Sequence, residues 1–186
     1  MKRFWLPVLL MLLLTGCGGA EKELQRGMDL RSKLLASTGC SFEAQITADY
    51  GDKLHTFSMA CRGNDKGDLT FTVTAPETIA GIEGSISREG GKLTFQDTAL
   101  YFAMLADGQV TPVSAPWILL KTLRGGYLRS ACQEEGLLRL SMDDSYEEDA
   151  LYLDIWLDAE NVPVRGEILY KERRILSLAV TNFEIS

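Results

Sequence analysis

Histidine is almost missing from this chain: its 186 residues hold one, His55. A Ser-His-Asp triad would have to be built on that residue, and no G-x-S-x-G elbow accompanies it. Cysteine is scarce as well. The four cysteines include no C-x-x-C pair, which argues against a thioredoxin-like redox motif and against zinc held by closely paired ligands. Basic residues are outnumbered, 19 against 26, for a net charge of −7. Nucleic-acid binding needs clustered Lys and Arg against phosphates, so that partner class is excluded. Docking on anionic lipid by charge alone is excluded too. No apolar run reaches the eighteen or so residues that a membrane-spanning helix needs. The one glycine-rich segment of note, Gly81-Ile82-Glu83-Gly84-Ser85, lacks the lysine of a phosphate loop. No cofactor, resident metal or catalytic set is indicated.

What is present is ordinary globular composition, 46% hydrophobic and 24% charged. The length favours one domain. Its front is distinctive. Lys2 and Arg3 precede an apolar run over residues 4–14, and Leu14-Thr15-Gly16-Cys17 follows. The run is too short to cross a bilayer as a helix and reads as a secretory signal. Its two cations leave −9 for the remainder. The four-residue ending resembles the lipobox of bacterial lipoproteins. That resemblance implies cleavage before Cys17 and a diacylglycerol unit on its thiol, with palmitate-type chains as the anchor. Residues 1–16 are then the signal peptide, 17–20 a lipidated tether and 21–186 a single domain. The chain is expected on the extracytoplasmic face of a membrane, the outer membrane where the cell has one. Two or more acyl chains make a stable anchor, since each buried methylene contributes about 0.8 kcal/mol.

Beyond the tether, residues 21–36 have helical periodicity, with Leu24, Met28, Leu34 and Leu35 toward one side. Period-two segments follow at about 40–50, 54–62, 68–75, 82–88 and 92–98, separated by turn signals such as Tyr50-Gly51-Asp52-Lys53. In the first hairpin, Cys40, Phe42, Ala44, Ile46 and Ala48 share one face, as do His55, Phe57, Met59 and Cys61. Pairing even positions with odd ones joins these faces and brings Cys40 near Cys61. A Cys40–Cys61 disulfide is the first pairing and Cys61–Cys132 the second; a Cys₃His zinc site with His55 lacks ligand spacing. Residues 100–105 read as a further strand. Residues 114–124 then read as a helix, with Ser114 as cap, Pro116 in the first turn and Gly125-Gly126 as the stop. Its apolar residues Trp117, Ile118, Leu119, Leu120 and Leu123 surround most of it, so it must be buried on most sides. Strands resume at about 137–142, 150–157, 163–170 and 173–184. The acidic run 143–149 lacks the alternation of a calcium loop and reads as a solvated connection.

The fold class expected is mainly β (α+β): one curled antiparallel sheet with an N-terminal helix and a mid-chain helix. This order resembles the LolA/LolB-like superfamily of bacterial lipoprotein carriers. The similarity is clearest over Leu153-Asp154 to Asp158, Val162-Pro163, Glu167-Ile168 and Leu176 to Asn182-Phe183. It implies an incomplete β-barrel with an apolar concave face and a helical lid, holding a lipid or acyl chain. The expected lining is Phe42, Phe57, Phe71, Trp117, Ile118, Leu120, Leu123 and Trp156, with Phe95 nearby; all of these equally suit a filled core. The chain thus reads as a non-enzymatic lipid-binding lipoprotein, or as a structural lipoprotein whose sheet serves another envelope protein as a platform. An extracytoplasmic hydrolase built around His55 is the third reading. Replacing Cys17 with serine should move the protein from the detergent phase to the aqueous phase on phase partitioning of whole cells. Retention in the detergent phase would show that another element anchors it.

Overall fold

The computed structural model describes residues 18–88, 90–94, 105–108 and 110–186, and for residues 18–20 and 90–94 the backbone alone. The expected signal peptide over residues 1–16, Cys17, Phe95 and most of the expected 100–105 strand lie outside the described residues. Helix α1 spans Gly18–Ala36. Gly18 to Ala20, expected as tether, form its first residues. Ten strands follow: β1 (Gly39–Asp49), β2 (Leu54–Asn64), β3 (Leu69–Ala75), β4 (Glu83–Ser87) and β5 (Gly90–Thr94), then β6 (Tyr127–Glu134), β7 (Leu137–Asp143), β8 (Tyr152–Leu157), β9 (Pro163–Tyr170) and β10 (Arg173–Ile185). Between β5 and β6 lies helix α2, Ala115–Gly125.

All ten strands form one sheet in the order β5-β4-β3-β2-β1-β10-β9-β8-β7-β6. Every pairing is antiparallel. Each half of the chain is a meander, and the β1–β10 ladder welds the two halves together. Among the described residues the sheet does not close, and β5 and β6 are its two edges. This is the mainly-β, curled-sheet architecture that the sequence led us to expect.

Alternation places the core. Phe42, Ala44, Ile46 and Ala48 of β1, Phe57, Met59 and Cys61 of β2, and Leu69, Phe71 and Val73 of β3 all point to the inner face. Leu153, Ile155 and Leu157 of β8 and Leu176, Leu178 and Val180 of β10 continue it. These residues and those of both helices form one apolar cluster. Fully burying one Leu or Ile contributes roughly 2 kcal/mol. A bulge between Ser41 and Glu43 lies opposite Asn182, whose φ is 53°. It sets Phe183 against Phe42, with ring centroids 5.3 Å apart.

Strand β6 was not expected from the sequence. A bulge between Leu128 and Ser130 breaks its alternation, so its core-facing residues Leu128 and Ala131 stand three apart. No period of two survives to be read. The β6–β7 and β9–β10 turns are two-residue loops with positive φ at both positions, Glu135-Gly136 (53°, 82°) and Lys171-Glu172 (48°, 64°). Such turns match the twist of antiparallel strands.

The even-to-odd pairing of the first hairpin is as expected, but its detail alters the disulfide reading. Cys40 faces Gly63 and Cys61 faces Phe42. The two thiols therefore lie on a diagonal, where Cα atoms are about 7–8 Å apart, beyond what a disulfide spans without backbone movement. Both are free and buried; Cys132 is free and exposed on β6, at the far edge of the sheet. Burial raises the Cys40 thiol and pushes the Cys61 thiol up to about 12, with Cys40 adding to the latter. A raised pKa leaves little thiolate at pH 8. A thiol reagent at that pH should titrate Cys132 at once and Cys40 and Cys61 only after unfolding. A single reactive thiol in the denatured, unreduced protein would instead demonstrate a bridge.

Candidate functional site

The inner face of the sheet is the surface on which this fold could hold a ligand, and α2 is its central cover. A 3-10 turn at Pro112–Ser114 leads into the helix. Ser114 was expected to cap it. Instead Ser114 is already helical (φ −81°, ψ −8°), and its hydroxyl donates to the Thr111 carbonyl at 2.7 Å. The preceding turn takes over the capping role. Pro116 sits in the first turn, and Gly126 closes the end by donating its amide to the Thr122 carbonyl at 2.7 Å. Ala115, Pro116, Ile118, Leu119, Leu120, Thr122 and Leu123 are buried. The all-round apolarity read from the sequence is therefore satisfied by burial.

Small residues on the sheet let the helix seat closely. A Cβ at Gly166 of β9 would come within 3.3 Å of Leu119 Cδ1. One at Gly63 of β2 would lie 2.9 Å from Leu120 Cδ1 and 3.1 Å from Cys40 Sγ. Six of the expected lining residues, Phe42, Phe57, Phe71, Ile118, Leu120 and Leu123, meet in the single apolar cluster, none more than 5% exposed. They are packed against one another and against both helices. Trp117 stands at its rim, partly buried, donating Nε1–H to the Gly67 carbonyl at 3.0 Å.

Trp156 does not belong with them. It alternates with Ile155 and Leu157 and so points out of the opposite face, where it pairs with Arg139 and Arg165 in the register. The Arg165 guanidinium lies 4.1 Å from its ring centroid, and its Nε1–H donates to Glu134 Oε2 at 2.8 Å. Its burial, at 4% exposure, comes from polar side chains laid over it. Hydrophobicity pointed to the inner face; strand parity decides the outer one.

Polar contacts around the perimeter hold α2 down, and sequence reading found none of them. Arg31 of α1 donates Nε–H to the Leu123 carbonyl at 2.9 Å and Nη2–H to the Gly126 carbonyl at 2.6 Å. It thus satisfies carbonyls that the end of a helix leaves unpaired. Arg124 donates to the carbonyls of Asn64 (3.2 Å) and Asp65 (2.5 Å) in the β2–β3 turn. Lys121 pairs with Asp144 at 3.0 Å. Asp144 also accepts the Leu151 amide at 2.8 Å, so it organises the acidic loop that was read as a solvated connection. Arg26 anchors α1 to the β8–β9 turn through Asn161 Oδ1 (2.6 Å) and the Asp158 carbonyl (3.0 Å). Nothing in a linear pattern marks these pairs, because each joins residues distant in the chain.

Among the described residues, two hollows on the outer face stand out. One, of about 670 Å³, crosses β10, β1, β2, β3 and β4 and is edged by Glu43, Arg62, Thr72, Glu83 and Asn182. The other, of about 1680 Å³, lies between the acidic loop, the start of β6 and the end of β9 with the β9–β10 turn, with Tyr127, Tyr146 and Tyr152 on its wall. Tyr127 and Tyr146 are well exposed, and their ring centroids are 5.6 Å apart. His55 is exposed near the start of β2, its ring edge-on to Tyr50 with centroids 5.5 Å apart.

No family model matches the chain, and no curated protein matches its sequence. Several solved structures are similar to it. One is an uncharacterized conserved protein from Thermus thermophilus, with 10% identity over 88% of this chain and 87% of that one, and a TM-score of 0.47. Another is a LolA superfamily protein from Nitrosomonas europaea, with 7% identity, 86% and 93% coverage and a TM-score of 0.42. A third is the Mycobacterium tuberculosis lipoprotein LppX, with 12% identity, 87% and 93% coverage and a TM-score of 0.40.

Replacing Arg31 by alanine strips two buried-end carbonyls of their charged donor. The expected loss is about 1–3 kcal/mol of stability, read from the urea midpoint, with faster amide exchange in α2 than in β1. Uniform exchange rates in both elements would show that Arg31 does not fasten the helix.

Proposed function

We propose that this chain is a lipid-anchored protein of the bacterial cell envelope that holds an acyl chain between α2 and the inner face of its open sheet. The observation that carries the reading is the way α2 is attached. Its buried side is entirely apolar apart from Thr122, while its fastenings are polar contacts spread round the rim. Lifting such a helix exposes a continuous apolar surface and breaks contacts that water can replace. A hydrocarbon chain restores the lost burial at about 0.8 kcal/mol per methylene. The apolar cluster with α2 seated in it is then the closed form, and the ligand substitutes for contacts made by Ile118, Leu119, Leu120 and Leu123. Anchoring through Cys17, read from the lipobox, would keep this binding face beside a bilayer that supplies acyl chains. The activity is one of binding, with no bond made or broken.

A second reading, that of a platform for another envelope protein, is favoured by one observation: the larger outer hollow presents two exposed tyrosines beside the acidic loop. The test separates the two. Residues 18–186, exported behind a cleavable signal sequence and purified without detergent, are extracted with organic solvent and analysed by mass spectrometry. The acyl reading expects lipid near one equivalent, and none in a folded Leu120→Glu variant. No lipid, together with no uptake of added palmitate, would remove the acyl reading and leave the platform.

A further inference from the structure

Among the described residues, only two polar side chains are fully buried, Thr122 and Ser141. Ser141 on β7 has a partner, for its hydroxyl donates to Asp154 Oδ1 at 2.5 Å. Thr122 has none: it is 1% exposed and its Oγ1 makes no hydrogen bond. Buried hydroxyls are ordinarily satisfied, and one left unpaired is unfavourable. A threonine within a helix can hand its proton to the carbonyl one turn back, here that of Ile118, yet Thr122 does not. Valine has the same shape and would fill this place without the hydroxyl. In the closed form, therefore, the hydroxyl contributes nothing that an apolar side chain would not.

Its position gives it a use in the open form. Thr122 lies on the buried side of α2 beside Ile118, Leu119 and Leu123. It is also one turn from the end of the helix, where Arg31 and the Lys121–Asp144 pair form the rim. A Cβ at Gly126 would come within 2.6 Å of Thr122 Cγ2, so the methyl branch of this side chain packs against Gly126, at the boundary between the apolar interior and the polar edge. An acyl lipid has the same boundary within itself, at the carbonyl that joins chain to head.

We propose that the Thr122 hydroxyl anchors the head end of the acyl ligand, donating a hydrogen bond to the carbonyl oxygen of an ester or carboxyl group while the tail runs along α2 past Ile118. This deepens the acyl-binding reading and rests on it. It makes the site selective for acyl lipids over bare hydrocarbon of the same length.

The test compares the parent protein, Thr122→Val and Thr122→Ser, each as residues 18–186 exported behind a cleavable signal sequence and stripped of lipid. Each is titrated with 1-monopalmitoylglycerol and with hexadecane by displacement of a fluorescent apolar dye. Removing one hydrogen bond should weaken monopalmitoylglycerol by about tenfold in Thr122→Val. Hexadecane binding should be unchanged there, and Thr122→Ser should keep the parental preference. The ligand-free Thr122→Val protein should melt a few degrees higher, because it sheds an unpaired hydroxyl. Equal monopalmitoylglycerol binding in parent and Thr122→Val would overturn the inference and leave the acyl reading standing. A Thr122→Val protein that melts lower, or does not fold, would show the hydroxyl to be structural and overturn it as well. A parent that takes up neither probe would remove the acyl reading and this inference with it.

Discussion

Strand β1 pairs with β2 on one side and with β10 on the other, and the second of these ladders governs the rest of the structure. Without it the chain would be two separate meanders, each with an apolar face too narrow to be covered. With it, ten strands form one sheet, and the described inner-face residues of both halves join in one apolar cluster. The register Cys40↔Ile185 to Ala48↔Leu176 joins residues from the two ends of the domain. Such a contact must be made against the entropy of closing nearly the whole chain into a loop. The bulge at Asn182 lies within it and turns Phe183 inward onto Phe42, so the weld is also packed at its end.

A sheet that stays open must still bury its inner face, and that requirement shapes both helices. Helix α1 lies against β6 and β7, and α2 against β2 and β10. They are unlike in composition. Helix α1 keeps an exposed polar side, while α2 is apolar over most of its circumference because it sits among the sheet, α1 and the turn before it. Glycine at positions 63 and 166 lets α2 approach, and Arg31 joins the two helices end to side. Apolar contacts beneath and polar contacts at the edge give a cover with a cohesive underside and replaceable fastenings. The buried side chains of α2 join the sheet residues in one apolar cluster.

The outer face obeys different physics. Trp156 is buried there without joining the core, covered by Arg165 and bonded to Glu134. Arg139 bridges Glu134 and Asp154, and Glu167 takes both Arg165 and Arg174. The two neighbouring guanidinium groups hold the Glu167 carboxyl below its usual range against the opposing effect of burial. A charged lattice of this kind keeps β6 to β10 in register from the solvent side.

Much of this was legible in the sequence because it depends on short periods. Alternation over 40–50 and 54–62 sets which residues share a face, and it sets it correctly whatever the partner strand. The all-round apolarity of 115–124 demands burial, and the structure supplies it. Where a local irregularity broke the period, the sequence fell silent: β6 carries a bulge, so Leu128 and Ala131 lost their signature. Hydrophobicity without parity misplaced Trp156, and parity without register set Cys40 and Cys61 one rung too close. The tertiary structure alone decided the β1–β10 weld, the union of Arg31 with the end of α2 and the isolation of the Thr122 hydroxyl. Those depend on distances between residues far apart in the chain. Periodicity records which way a side chain points, and only the assembled fold records what it meets there.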